Sequence, residues 1–161
     1  MSEPVLIVQG GAGRGFQDSR RPSQIRKKIS RILKLAYEKL LTAHALEAVT
    51  YAVRLLEDDP EFNAGTGSQL QADGQARLCA SIMDGTRLRF AAVINLEKIK
   101  NPILVARALL EEKDRVLCGK GALQYATKKL RLKSEDPRTK QSVRRWEKWK
   151  DGGGYDTVGA C

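Results

Sequence analysis

Val5-Leu6-Ile7-Val8-Gln9-Gly10-Gly11-Ala12-Gly13 sets the plan of this chain. Its four consecutive apolar residues read as a short buried strand, here residues 4–8. The glycines that follow end the strand in a turn and let the backbone approach its neighbours closely. A helix is then expected from about Pro22 to Leu41, because Pro22 and Ser23 suit a helix start. Ile25, Ile29, Ile32, Leu33, Ala36 and Leu40 recur at spacings of three and four, leaving Lys and Arg on the outer face. A second helix is expected over Ala43 to Asp58, with Leu46, Val49, Val53 and Leu56 as its apolar stripe, and Pro60 ends it.

Strands are expected at about 68–72, 76–83 and 88–95, the first two joined by an Asp73-Gly74 hairpin turn. Asn101-Pro102 starts a third helix, capped by Asn101 and running to about Glu112. Arg115 to Cys118 reads as a short strand and Gly121 to Leu130 as a fourth helix. Residues 133–154, with their charge, Pro137 and glycines, read as a mobile connector with some helix around 138–150. Two helices between an N-terminal strand and a group of strands make a layered α/β (α+β) arrangement.

Composition fits one folded domain. A chain of 161 residues can bury a real core, and 42% hydrophobic content is ordinary. No apolar run approaches the roughly 20 residues needed to span a bilayer, and the N-terminus lacks the order of a secretory signal. The three cysteines, Cys79, Cys118 and Cys161, show no CxxC spacing. Cys79 and Cys118 sit in apolar runs and are expected as buried free thiols, as in a cytoplasmic protein.

The formal charge of +10 comes from two segments. Residues 14–39 carry +7 and residues 131–150 carry +5, so the remainder is slightly acidic. A basic stripe attracts phosphate backbones, and Trp146 and Trp149 could stack on bases. No RNA-binding, zinc-finger or helix-turn-helix signature accompanies it, however. The bland alternative is solvated helix surface with both indoles on one face at i, i+3. No sequence-specific nucleic-acid site is expected.

The chain ends in Gly152-Gly153-Gly154-Tyr155-Asp156-Thr157-Val158-Gly159-Ala160-Cys161. A threonine becomes a strong nucleophile when the bond before it is cut, because the freed α-amine then lies beside its own hydroxyl. That amine, with a pKa of about 8, is partly neutral near pH 7 and can act as the base. The alternative is that Thr157 merely begins a strand. Gly152 to Gly154 permit a tight bend before the cut, and a plain hinge would look the same.

The stations Gln9-Gly10-Gly11-Ala12-Gly13, Pro60-Glu61-Phe62-Asn63-Ala64-Gly65-Thr66-Gly67, Ile82-Met83-Asp84-Gly85 and Asp156-Thr157-Val158-Gly159 occur in this order. Together they resemble the plant-type L-asparaginases, or isoaspartyl peptidases, of the threonine-type N-terminal-nucleophile hydrolases. The resemblance covers nearly the whole chain. The family's first motif usually reads His-Gly-Gly-Ala-Gly. Gln9 stands at its histidine and can hydrogen-bond but not titrate.

The resemblance implies a four-layer αββα sandwich and a precursor that cuts itself at Asp156–Thr157. On that reading residues 1–132 form the α-subunit layers, 133–156 the connector and 157–161 the start of the β subunit. The β subunit of the same precursor is the implied partner, in a homodimer of αβ units. It would supply the groups that hold the substrate's charged ends, so the chain is expected to be a truncated form, inactive alone. Catalytic roles carry over to Thr157, Asn63, Gly10 and Gly11. Asn63 could otherwise be an Asx turn after Pro60. The implied activity is hydrolysis of side-chain amide or isoaspartyl bonds in small substrates such as asparagine, with no organic cofactor. The resemblance also implies a sodium ion held by main-chain carbonyls of Leu56, Glu57, Asp59, Phe62, Ala64 and Thr66.

Two alternatives come from the residues alone. Gly10 to Gly15 could be a phosphate-binding turn, although no Gly-Lys-Ser/Thr follows and residues 30–36 lack the acidic partner of a dinucleotide site. The whole chain could instead be a non-enzymatic basic α/β binding module for nucleic acid or nucleotide.

Overall fold

A computed structural model describes residues 3–11, 21–149 and 158–161. Asp156 and Thr157 lie outside these residues, as do Ala12, Gly13, Gly152 to Gly154 and the side chain of Trp149. The described elements are strand β1 (Val8–Gln9), helices α1 (Arg21–Leu40) and α2 (Ala45–Asp58), strands β2 (Leu78–Asp84) and β3 (Arg89–Leu96), and helix α3 (Pro102–Leu109). Strand β4 (Val116–Cys118), helix α4 (Gly119–Gln124), helix α5 (Lys140–Trp149) and strand β5 (Gly159–Ala160) complete them. The architecture is mixed helix and sheet.

β2 and β3 form an antiparallel hairpin, and β4 adds parallel to β3, giving the order β2-β3-β4. The strands expected at 76–83 and 88–95 form the first two strands of this sheet. Ile82, Ala91, Val93 and Leu96 point inward and are buried. They meet Val105, Ala106, Leu109 and Leu110, and the partly buried Leu46, Val49 and Val53 of α2. Each fully buried aliphatic side chain here contributes about 2 kcal/mol. A second cluster joins Ile32 of α1, Leu56 of α2 and Phe62, with Val8, Ile25, Ile29 and Val158 packed against it.

Several expectations are corrected. The strand at 4–8 is regular only at Val8–Gln9, and Val5 and Ile7 are 75% and 61% exposed. β1 pairs only with β5 among the described residues, and such pairing covers one edge of the strand while leaving its faces to be covered by packing. Residues 68–72 are not a strand, because their loop satisfies its backbone donors elsewhere: Gln69 N–H on Asn63 Oδ1, Gln71 N–H on the Gln75 carbonyl. Asp73-Gly74 does form a tight turn, but it closes a loop and not a hairpin. The fourth helix continues past Gln124 as a π turn over Tyr125–Lys129. The segment expected as a mobile connector is docked on the body as far as α5, held by backbone bonds from Glu135 N to the Lys98 carbonyl and from Gly67 N to the Pro137 carbonyl.

Cys79, Cys118 and Cys161 are free, but all three are exposed and not buried. Cys79 and Cys118 occupy outward positions, on the same sheet face as Met83 (58% exposed), Phe90 (50% exposed), Ile94 and Val116. An apolar run in sequence cannot say which of a strand's two faces is covered. The basic residues of α1 behave as expected. Lys28 and Arg21 pair with Asp59 and Glu61, while Arg26, Lys27, Arg31, Lys34 and Lys39 lie on exposed positions.

Asp84, of the Met83-Asp84-Gly85 station, is structural. Its carboxylate accepts from the Thr86 and Arg87 amides at 3.0 and 3.3 Å and from Arg87 Nε. Arg87 reaches on to Glu111, just past the end of α3, at 2.6 Å. Hydrogen bonds from Arg87 hold both the Asp84 and the Glu111 carboxyl below their ordinary range. A depressed carboxyl stabilises the fold above its unfolded pKa, and the contribution is lost as pH falls through the folded value. Urea unfolding should therefore show this contribution being lost below about pH 5, with a shallower acid fall in Asp84→Asn. Identical acid profiles for the two proteins would contradict this role.

Candidate active site

α2 ends in Glu57-Asp58-Asp59, which in sequence looks like one acidic patch; in the structure the three side chains part ways. Asp59 pairs with Lys28 at 2.7 Å and accepts from the Glu61 amide at 3.0 Å, starting the next loop. Asp58 accepts from Asn101 Nδ2 at 3.0 Å. Glu57 is 2% exposed, and its Oε1 accepts from the Ile103 amide at 3.1 Å. It thus caps α3 from a different helix. Asn101, expected to cap α3, makes no side-chain capping bond and instead donates to Glu57 and Asp58. Burial pushes the Glu57 carboxyl up to about 8, against the two hydrogen bonds that favour its ionised form.

The loop after α2 folds back on this point. Thr66 N donates to the Glu57 carbonyl at 2.7 Å. Gly65 adopts φ +55°, and a Cβ there would lie 2.4 Å from the Lys100 carbonyl oxygen and 2.6 Å from Glu57 Cβ. Only glycine fits. Asn63 sits at the start of the returning stretch and accepts from Gln69 N at 2.6 Å, so it holds the loop as an Asx-type bridge.

This loop forms one wall of a cavity of about 470 Å³. Asn63, Ala64, Gly65 and Ser68 line it from the loop, Cys79 and Ser81 from β2, and Val158 from the tail. The position next to Thr157 therefore opens on the same space as Asn63. Val158 is also packed against the Ile32–Leu56–Phe62 cluster. β5, which follows it, pairs Gly159 with Gln9 and Ala160 with Val8. Gly10 lies just beyond this pairing, and a Cβ on it would come within 2.8 Å of the Phe62 ring and 2.9 Å of Ile29 Cδ1. Its missing side chain serves packing, which weakens the phosphate-turn alternative. Gly11 has φ +98°.

The structure thus gathers Asn63, Gly10, Val158 and the 56–66 loop around one region, while Asp156 and Thr157 lie outside the described residues. Among the described residues no cluster of His, Cys, Asp or Glu side chains could hold a metal ion. No helix among them is long and apolar enough to cross a membrane. Sequence reasoning missed the inward role of Glu57, since a helix-end acid normally faces water. It also missed the cap of α5, where Thr139 and Ser142 exchange hydrogen bonds of 2.9 and 3.0 Å, although the Thr-x-x-Ser spacing was readable.

A family model described as asparaginase matches residues 2–158. This chain belongs to the asparaginase family. An isoaspartyl peptidase/L-asparaginase of Synechocystis sp. is 42% identical over 144 residues, covering 89% of this chain and 43% of the relative. A plant-type L-asparaginase of Thermococcus kodakarensis is 41% identical, covering 89% of this chain and 46% of the relative. An isoaspartyl peptidase/L-asparaginase of Macaca fascicularis is 42% identical over 125 residues, 76% of this chain and 40% of the relative. This chain therefore spans less than half the length of these relatives.

Replacing Glu57 tests the join on which the loop rests. Glu57→Ala leaves the Ile103 amide unpaired and opens a cavity, costing about 3 kcal/mol. Glu57→Gln keeps the acceptor and should stay within about 1 kcal/mol of wild type. Urea midpoints measure both, and equal losses in the two variants would refute the capping role.

Proposed function

We propose that the chain is the first segment of a self-processing threonine amidohydrolase that hydrolyses side-chain amide or isoaspartyl bonds. The observation that carries this reading is the seat of Val158: the residue after Thr157 is anchored in the Ile32–Leu56–Phe62 cluster and opens on the cavity that Asn63 lines. The family membership and the names of the relatives supply the reaction class and favour it over a basic binding module.

Processing on this reading starts with Thr157 Oγ attacking the Asp156 carbonyl carbon. The C–N bond breaks and the nitrogen takes the hydroxyl proton, leaving an ester. Water then hydrolyses the ester, giving an Asp156 carboxylate and a free α-amine on Thr157. That amine next accepts the hydroxyl proton while Oγ attacks the substrate's side-chain carbonyl. Ammonia or the amine of the isoaspartyl peptide leaves, and water releases aspartate. On this reading Asn63 and the Gly10-Gly11 backbone position the nucleophile. Stabilising the developing oxyanion is worth about 3–4 kcal/mol per donor.

The rest of the machinery belongs, on this reading, to a following segment in a four-layer sandwich. The outward sheet face of Cys79, Met83, Phe90, Ile94 and Val116 is the surface a second sheet would cover. Such a face excludes water only when another layer lies on it. Pairing of αβ units into a dimer belongs to the same proposal.

On this reading the main-chain carbonyls of the 56–66 loop would hold an alkali cation. The carbonyls of Leu56, Glu57 and Asp59 each accept one loop hydrogen bond, from Asp59 N, Thr66 N and Phe62 N, and each retains a second lone pair. With Phe62, Ala64 and Thr66 they offer neutral, hard oxygens. A bound sodium ion would stiffen the wall that carries Asn63. Thermal unfolding should then shift up by several degrees in sodium chloride over choline chloride at equal ionic strength, saturably. No difference between the salts would remove the ion from this account.

Intact mass decides the main proposal. The 161-residue chain should stay whole. Expressed as the full reading frame, it should split between Asp156 and Thr157; Thr157→Ala should abolish the split and Thr157→Ser retain part of it. Continued splitting in Thr157→Ala would assign the nucleophile wrongly.

A further inference from the structure

The cavity wall made by residues 63–74 has a back side, and α5 lies on it. Arg145 Nη2 donates to the Gly67 carbonyl at 2.6 Å. Gly67 N in turn donates to the Pro137 carbonyl at 2.8 Å, so the same residue is held from both of its backbone groups. Gly74, at the loop's far end, lies against the Trp146 indole, whose ring atoms come within 3.2 Å of where a Cβ would sit. Arg138 adds a longer bond to the Gly74 carbonyl at 3.4 Å. Ser142, one turn before Trp146, is 1% exposed and closes the α5 cap with Thr139.

These contacts are specific and costly. The Arg145 guanidinium is half-buried without an acidic partner at bonding distance among the described residues, and burial together with nearby Arg21 lowers its pKa. A long cationic side chain spends that desolvation only where its hydrogen bond is well made. The wall it holds forms no strand ladder among the described residues. Gln69 N and Gln71 N donate to Asn63 Oδ1 and the Gln75 carbonyl, Leu70 is buried, and Gln71, Ala72 and Asp73 are exposed. A segment without ladder bonds and with an exposed tip opens at lower free energy than a sheet unless something outside clamps it.

We propose that α5 is a clamp on the active-site wall, with Arg145 and Trp146 as positioning residues that hold Gly67 and Gly74 and so fix Asn63 over the cavity. Residues 135–149 are then a working part of the site that stays docked whether or not the chain is cut. The catalytic half of this inference rests on the threonine-hydrolase reading; the clamp itself does not.

Hydrogen exchange of the 161-residue chain tests the clamp. In Arg145→Ala combined with Trp146→Ala, the amides of Gln69, Gln71 and Gly74 should exchange at least tenfold faster, with α2 and the β2–β3 hairpin unchanged. Arg145→Lys alone keeps the charge and one donor and should restore part of the protection. Unchanged protection in the double variant, or equal loosening throughout the molecule, would overturn the clamp. In the full reading frame the double variant should slow splitting at Asp156–Thr157 at least tenfold, and Arg145→Lys should recover part of the rate. Local loosening with an unaltered splitting rate would overturn the positioning role. If the wild-type frame never splits, the hydrolase reading falls while the exchange result still decides whether α5 clamps the loop.

Discussion

A carboxyl group removed from water joins the three parts on which the site depends. Glu57 leaves α2 and caps the first turn of α3, and its own backbone carbonyl receives Thr66 from the returning loop. Gly65 passes so close to this junction that no side chain fits. An unpaired amide at a buried helix start costs about as much as several ordinary contacts gain, so the cap is strongly preferred over leaving Ile103 bare. α2, α3 and the loop therefore cannot move independently, and the position of Asn63 is inherited from that join.

The two sides of the loop then do different things. Its front lines the cavity shared with Val158, while its back meets Arg145 and Trp146. Rigidity at the front is obtained from residues far along the chain, through one charged hydrogen bond and one indole face. The N-terminal ribbon contributes in the same indirect way. Gly10 leaves room for Phe62 and Ile29, and Phe62 belongs to the cluster that seats Val158. Placement of the candidate site is thus a packing problem before it is a chemical one.

Membership of the asparaginase family and the apolar outward face of the sheet bear on one another. The face carries Met83, Phe90 and Ile94 in the open, an arrangement that a folded surface seldom leaves uncovered. A chain spanning under half of its relatives' length leaves room in them for the layer that covers such a face.

Local pattern in the sequence located α1, α2 and the strands β2 and β3 almost to their ends, but not the pairing of the strands, because the period of an element records its type and not its neighbour. The motif stations, carried by Phe62-Asn63-Ala64-Gly65 and Asp156-Thr157-Val158-Gly159, determined the family. What the sequence could not determine was the destination of groups whose partners lie far along the chain. Glu57 reads as a solvated helix end until α3 is brought against it. Cys79 and Cys118 read as buried until the uncovered face of the sheet is known. Residues 135–149 read as a loose connector until Arg145 and Trp146 find Gly67 and Gly74. The Glu57 and Arg145 contacts join residues 44 to 78 apart in the chain. A one-dimensional pattern records the period of an element and not its neighbours, so only the tertiary structure could decide them.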